Sequence, residues 1–347
     1  MKLILFKVNQ LGDNLVFLPS LQTLLRRYPE WEVRVVTSPS AAGLYTGLLP
    51  ADSVWPVPTA EFNGLWKRPL AFLSWLRRVR AFGPGATWLS DDQGNAAHAL
   101  SALSGASVRV GPRPGFVRVR GGVNVPSPAP AEGLGRQARW AWDGLRRLLE
   151  RLAPGDCALS AEPPVPDLSH LVAPARAETR GVLIHPGASK PYKRWPQDRF
   201  AELANHLADE QPVTWVAHDL EPPAQLRAEV EVVRPASLRE LLGHLSGCRL
   251  FVGNHSGPFH LANALGRTSL ILSGLTRVDW DPLWHRERVR ILRDESLADL
   301  PRDTLSAYAD RYSNTDQPMA CLEAWSVDEV RRQAQEMLLT LNSVAPS

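Results

Sequence analysis

Short apolar runs alternate along this chain with longer stretches whose apolar positions recur every three or four residues. Leu3–Val8, Val33–Thr37, Ser53–Val57, Ala86–Leu89 and Val108–Val110 read as strands. Asn14–Arg27, Pro69–Phe82, Asn95–Ser104 and a strong pattern from Leu134 to Leu152 read as helices. Apolar strands interleaved with helices predict parallel βαβ units whose sheet is covered on both faces.

A break follows. Pro154, Pro163, Pro164, Pro166 and Pro174 crowd a stretch that neither a helix nor a central strand would tolerate, so it reads as a linker. The alternation then restarts. Gly181–His185, Pro212–Ala217, Val230–Val233, Leu250–Val252 and Ser269–Leu272 are expected strands. Helices are expected at Pro196–Asp209, near Leu226, at Ser237–Leu245 and at Ser256–Leu265. A last helix begins at Ser326, with Glu329 placed to complete a capping box. The expectation is an α/β protein of two doubly wound, Rossmann-like domains, 1–165 and 166–325. Residues 326–347 form a terminal helix free to pack back toward the first domain. Ligands of such sheets bind at the carboxyl ends of the strands, which directs attention to the loops after the first strand of each half and after Leu250–Val252.

Composition narrows the class. The 347 residues are 44% hydrophobic and 22% charged, a globular balance long enough for about two domains. The net charge of +3 is too small to argue for nucleic acid. The three cysteines, Cys157, Cys248 and Cys321, lie far apart without metal-ligand spacing, as expected in a reducing compartment. No run nears the roughly 18 apolar residues of a membrane span, and Leu3–Val8 reads as a strand rather than an export signal. The expected location is the cytoplasm. Arginine and tryptophan cluster in Trp75-Leu76-Arg77-Arg78-Val79-Arg80 and in Arg136-Gln137-Ala138-Arg139-Trp140-Ala141-Trp142. Such faces suit either an anionic membrane surface or plain solvation.

Three loops carry candidate chemistry. In Phe6-Lys7-Val8-Asn9-Gln10-Leu11-Gly12-Asp13-Asn14, Asp13 stands where a helix begins. Its carboxylate can accept a proton from a substrate hydroxyl, or simply cap the helix. In His185-Pro186-Gly187-Ala188-Ser189-Lys190-Pro191-Tyr192-Lys193-Arg194-Trp195, Gly187, Ala188 and Ser189 let backbone approach a ligand closely. The cations that follow suit a diphosphate, with Lys193 foremost, although a basic surface loop reads the same way. Gly253-Asn254-His255-Ser256-Gly257-Pro258-Phe259-His260 runs from strand through a glycine-rich turn into a helix whose N-terminus can hold an anion. It is not a dinucleotide fingerprint, because G-x-G-x-x-G is missing there. His260 can donate to a phosphate oxygen or sit packed in the core. Asp279-Trp280-Asp281 resembles a metal-binding acidic pair but is not placed after a strand in the way that role requires.

Taken together, these stretches resemble glycosyltransferase family 9, the heptosyltransferases of lipopolysaccharide core assembly. The resemblance rests on Leu11-Gly12-Asp13-Asn14 with Leu18-Pro19, on His185-Pro186-Gly187-Ala188-Ser189 with Lys193-Arg194-Trp195-Pro196, and on Gly253–His260. Asp92-Gln93-Gly94, Arg109-Val110-Gly111 and Cys321-Leu322 fall in the same order. The resemblance implies a GT-B fold with an interdomain cleft and an inverting transfer needing no metal or other cofactor. It implies an ADP-linked sugar as donor and a lipid-linked or oligosaccharide acceptor, with peripheral contact at the inner membrane surface. Carried onto this chain, it makes Asp13 the catalytic base. Gly187, Ala188, Ser189, Lys193, Glu221, His255, Ser256, Gly257 and His260 become donor contacts, and Lys7, Asn9 and Asp92 acceptor contacts. One departure is His255, where the family has an aspartate touching the donor. Imidazole changes both charge and hydrogen bonding there, which leaves two alternatives to the heptosyltransferase expectation: a transferase of the same fold using a different nucleotide sugar and acceptor, or a non-catalytic binding homologue.

Overall fold

The computed structural model describes residues 1–90, 93–172, 181–217, 220–295 and 320–344. It divides into two compact units, Met1–His170 and Leu171–Ser347, with the division inside the proline-rich linker.

The first unit has strands β1 (Lys2–Lys7), β2 (Glu32–Thr37), β3 (Val54–Pro56), β4 (Ala86–Leu89), β5 (Val108–Gly111) and β6 (Val125–Pro126). Its helices are α1 (Leu11–Arg27), α2 (Pro39–Ala42), α3 (Thr59–Asn63), α4 (Pro69–Phe82), α5 (Asn95–Leu103) and α6 (Arg136–Leu152). The sheet is parallel throughout, in the order β3-β2-β1-β4-β5-β6. Because helices cover both faces, β1 is apolar from Leu3 to Phe6 rather than alternating. One face packs Ile4, Phe6, Trp55 and Phe62 with the apolar side of α4 and α5. On the other, α1 and α6 pack together, and the Phe17 ring lies 4.7 Å from that of Trp88. Gly83 ends α4 at φ 68, the left-handed conformation that glycine adopts without steric cost.

The second unit repeats the plan with β7 (Val182–His185), β8 (Val213–Val216), β9 (Glu231–Val233), β10 (Leu250–Asn254), β11 (Thr268–Ser273) and β12 (Val289–Arg293). Its helices are α7 (Gln197–Ala208), α8 (Leu238–Gly247), α9 (Gly257–Ala264), α10 (Ala320–Glu323) and α11 (Val327–Val344). The order β12-β11-β10-β7-β8-β9 is the first sheet's order again, counted from β7. In each sheet the strand order reverses beside the first strand, between β1 and β4 and between β7 and β10. That is where ligands of open α/β sheets bind.

Three expectations are corrected here. No helix forms near Leu226. Pro222 and Pro223 lack the N–H groups a helix needs, and the segment is a series of turns. Pro196 precedes α7 as its cap residue instead of opening it. The apolar face of α11 is buried in the second unit's own core, where Val330, Ala334, Met337 and Leu338 join Trp195, Phe200 and Leu203. Burial of Val330, Met337 and Leu338 stabilises the fold by about 1.5–3 kcal/mol each, which commits the helix to that unit. The Ser326 hydroxyl caps α11 by accepting from the Glu329 N–H at 3.2 Å.

Candidate functional site

In the first unit the loop after β1 is held from three sides. The Gln93 side chain receives the Val8 N–H at 3.2 Å and donates to the Asn9 side-chain oxygen. The Asn9 carbonyl accepts from Ser38 Oγ at 2.6 Å and from Asn14 Nδ2 at 3.0 Å. Asn14, fully buried, also donates to the Gln10 carbonyl at 2.9 Å. Its own oxygen accepts from Thr37 Oγ1 at 2.9 Å and Tyr45 OH at 2.6 Å. With donors and acceptor all engaged, Asn14 fastens the first turn of α1 to β2 and to Tyr45.

Asp13, next in the chain to that anchor, is partly exposed. One of its carboxylate oxygens accepts the Gln10 N–H at 2.9 Å, so the capping role is real. A carboxylate has further lone pairs, and capping does not preclude work as a base. The residues expected to meet an acceptor differ among themselves. Lys7 is buried, its ammonium 6.0 Å over the Phe17 ring centroid. Asn9 has its side-chain oxygen engaged by Gln93, and Asp92 lies outside the described residues.

In the second unit the loop from Pro186 to Trp195 is shaped by Asn254, the last residue of β10. Fully buried, it accepts the Trp195 N–H at 2.8 Å and donates to the Pro186 carbonyl at 2.7 Å, so one side chain pins both ends of the loop. Trp195 sinks its indole into the core, edge-on to Phe200 at 4.8 Å, and its N–H reaches the Trp325 carbonyl at 3.1 Å. Arg194 folds back onto the Ala188 carbonyl at 2.8 and 3.0 Å, making it a brace inside the loop. Gly187 is required by space, since a Cβ there would lie 2.8 Å from the His185 ring. Gly253 is required likewise, 2.8 Å from the His185 carbonyl. Ser189 is exposed and Lys193 partly so, and the Lys193 charge is felt by His255 and His260.

Beside this loop, α9 begins at Ser256 with no acidic residue in its first turn, leaving the positive end of its dipole uncancelled. The Ser256 and Ser273 hydroxyl oxygens, near the carboxyl ends of β10 and β11, are buried without a hydrogen-bond partner among the described residues. Buried polar atoms are normally satisfied, and these two fit a ligand that supplies oxygen atoms. Glu221, by contrast, is exposed and paired with Arg234 at 2.6 Å. Its carbonyl takes a hydrogen bond from Gln197 at the start of α7.

His255 belongs to a buried network that joins two loops to the end of β12. Its Nε2 lies 3.2 Å from Asp281 Oδ1, and Arg293 grips the same carboxylate with two bonds of 2.8 and 2.6 Å. Burial alone would push the Asp281 carboxyl up, but hydrogen bonds from His255 and Arg293, with their charges, outweigh it and hold it below the usual value. Burial pushes His255 down, aided by Arg293 and Lys193, against the pull of Asp281. A neutral imidazole facing a carboxylate must donate, which fixes the proton on Nε2. Asp279 is paired with Arg277 at 3.4 Å. Both carboxylates of the acidic pair therefore face arginines. Among the described residues no group of three His, Cys, Asp or Glu is arranged to hold a metal.

Burial, with the neighbouring His255 and the Lys193 charge, lowers His260 to about 3. Its imidazole is therefore neutral, offering one donor and one acceptor and no positive charge. Unfolding frees it to bind a proton below its ordinary value of about 6.5. The unfolded state thus binds more protons between about 3 and 6.5, and stability contributed by neutral burial is lost as pH falls through that window. The melting temperature should drop on acidification below about 6.5, and His260→Gln should flatten that slope in a pH series of thermal melts. An unchanged slope would show that His260 is already solvated.

Asn254, Asp281, Arg293 and Asn14 do not appear among the residues predicted to form a site. Asn254 and Asn14 stand inside the motifs that drew attention, where a buried amide gives no signal of its own. The Asp281–Arg293 pairing exists only in the fold.

Two six-stranded parallel sheets of like order, each with a loop site at its switch point, define a two-domain α/β protein of the GT-B type. Residues 160–305 match the profile of Glycosyltransferase family 9 (heptosyltransferase). Lipopolysaccharide heptosyltransferase 2 of Escherichia coli K12 is 36% identical over 118 residues, which are 30% of this chain and 34% of that protein. Lipopolysaccharide heptosyltransferase 1 of Campylobacter coli is 31% identical over 110 residues, 28% and 32% of the two chains. The chain thus spans about a third of the length of the curated relatives it matches. The structure of E. coli ADP-heptose lps heptosyltransferase II superposes with a TM-score of 0.67 at 21% identity, covering 99% of this chain and 100% of that one. At that identity the likeness establishes the fold. Over residues 160–305 the chain is similar to glycosyltransferases of this family.

Proposed function

We propose that this protein is an inverting glycosyltransferase that moves a heptose or related sugar from an ADP-linked donor to a lipopolysaccharide-core or other glycan acceptor. It works without a metal or other cofactor, at the cytoplasmic side of the cell. The observation that carries this reading is the turn at Ser256, where an unpartnered buried hydroxyl, a helix N-terminus and a nearby Lys193 converge within the stretch that matches the family. These groups suit a leaving diphosphate. The acceptor hydroxyl gives its proton to Asp13 as its oxygen bonds to the anomeric carbon. The carbon–oxygen bond to the diphosphate breaks on the opposite face, and the electron pair leaves with the diphosphate. Lys193, the Ser256 hydroxyl and the α9 terminus offset the charge that develops there. Gly187, Ala188, Ser189 and Gly257 bring backbone close to the donor, and neutral His260 donates one hydrogen bond.

His255 favours a second reading within the same class, namely transfer from a different nucleotide sugar. A neutral donor–acceptor in place of a carboxylate prefers a different pattern of sugar hydroxyls. A thermal-shift panel of ADP-, UDP- and GDP-linked sugars separates the two, because a bound donor raises the melting temperature. The expected outcome is a shift with an ADP-sugar, reduced in Lys193→Ala by about tenfold or more in affinity, the value of a charge-assisted hydrogen bond. A shift confined to another base moves the chain to the second reading. An ADP-sugar bound equally by Lys193→Ala removes Lys193 from the site.

A further inference from the structure

The His255 ring is fixed from two directions. Its backbone N–H donates to the Leu272 carbonyl at 3.1 Å, and its Nε2 lies 3.2 Å from Asp281 Oδ1. Asp281 is held in turn by the two bonds from Arg293. The His255 and Asp281 side chains are sealed from water, at 4% and 9% exposure, so the imidazole has little room to turn. The bond made by one ring nitrogen decides the state of the other. Asp281 takes the single proton of the neutral ring at Nε2, which leaves Nδ1 with a lone pair and no hydrogen. Nδ1 has no hydrogen-bond partner among the described residues.

Such a nitrogen repels phosphate oxygens, which also carry only lone pairs, and it requires an O–H donor. His255 stands between Asn254, which ends β10, and Ser256, whose orphan hydroxyl opens α9. Its ring centroid is 5.2 Å from that of His260, and the Lys193 charge is felt by both rings. A diphosphate seated on Lys193 and the α9 terminus carries its sugar on the adjoining atom, beside the side chains that flank this turn. We propose that His255 selects the donor by accepting, at Nδ1, a hydrogen bond from a hydroxyl of the donor sugar. Asp281 and Arg293 are the positioning residues that keep the proton on the far nitrogen. This inference rests on the donor-site reading above and deepens it, because it assigns His255 to the sugar and leaves the diphosphate to Lys193, Ser256 and His260.

The test is calorimetric titration of the full chain. The probes are ADP-, UDP- and GDP-mannose, the three nucleoside diphosphates alone, and deoxyfluoro analogues of whichever sugar nucleotide binds. Fluorine cannot donate, so one analogue should bind about tenfold more weakly than the hydroxylated sugar, the effect of leaving a buried acceptor unpaired. His255→Phe should weaken the sugar nucleotide by about the same factor, leave the nucleoside diphosphate unchanged, and no longer distinguish that analogue. His255→Asn sets an amide oxygen where Nδ1 stood and should restore most of the loss. In nitrogen NMR of histidine-labelled chain, His255 should carry its proton on Nε2. In Arg293→Met combined with Asp281→Leu, the proton should move in part to Nδ1, and affinity should fall for the sugar nucleotide but hold for the diphosphate. A proton on Nδ1 in the unaltered chain would overturn the proposal, as would fluoro analogues that all bind like the hydroxylated sugar. So would a His255→Phe variant that binds the sugar nucleotide as before, or one that loses sugar nucleotide and diphosphate alike. If no sugar nucleotide binds the unaltered chain, the donor-site reading fails and takes this inference with it. If one binds and His255→Phe binds it equally, this inference fails alone.

Discussion

Asp13→Asn is expected to lower turnover by about 10²- to 10⁴-fold, the range contributed by a positioned general base, while leaving affinity for the nucleotide sugar unchanged. The substitution is chosen because of the cap. Asp13 accepts the Gln10 N–H at 2.9 Å, and an asparagine oxygen accepts that bond as well, so α1 keeps its first turn and the melting temperature should hold. Asp13→Ala removes cap and base together and adds a stability loss of about 1 kcal/mol. Comparing the two separates helix capping from proton transfer. Turnover by Asp13→Asn equal to the parent's, with an equal melting temperature, would leave Asp13 a cap and nothing more.

Arg293→Met carries the largest expected effect on stability. The guanidinium supplies two hydrogen bonds to Asp281 in surroundings where both side chains are nearly sealed from water, at 7% and 9% exposure. Removing one partner of such a pair leaves a buried charge uncompensated and costs about 3–5 kcal/mol. In a domain of this size that is a fall on the order of 10 °C in the transition of the second unit. The loss should be only partly recovered by Arg293→Met combined with Asp281→Leu, because the ion pair is then exchanged for apolar groups while the buried His255 N–H is left without its acceptor. A single variant that melts within about 1 kcal/mol of the parent would mean that water reaches the carboxylate and screens it.

The two sheets were legible because parallel strands buried on both faces must be apolar throughout, as Leu3–Phe6 and Leu183–Ile184 are. β12 escaped notice for the opposite reason. Arg290 and Arg293 interrupt an edge strand that is only partly buried, so its apolar residues never form a run. The helix expected near Leu226 failed on a local rule, since paired prolines outweigh a few favourable residues. Within the loops, Lys193 and Ser256 could be singled out because glycine-rich turns before helices have a recognisable chemistry. The His255–Asp281–Arg293 network could not be. Its members are 26 and 12 residues apart in sequence, and the acidic stretch containing Asp281 suggested a cation, when the fold supplies an arginine. Asn14 and Asn254 show the same limit: a buried amide that ties a loop is visible only when its partners are in place, four for Asn14 and two for Asn254.

The fastening of Trp195 joins two things usually thought of apart. Its ring is wedged in the unit's interior, its amide is moored to Asn254, and its indole N–H holds Trp325 just ahead of the final helix. The loop proposed to hold the donor and the final helix thus share one peg, so slack in the helix would be passed directly to the loop.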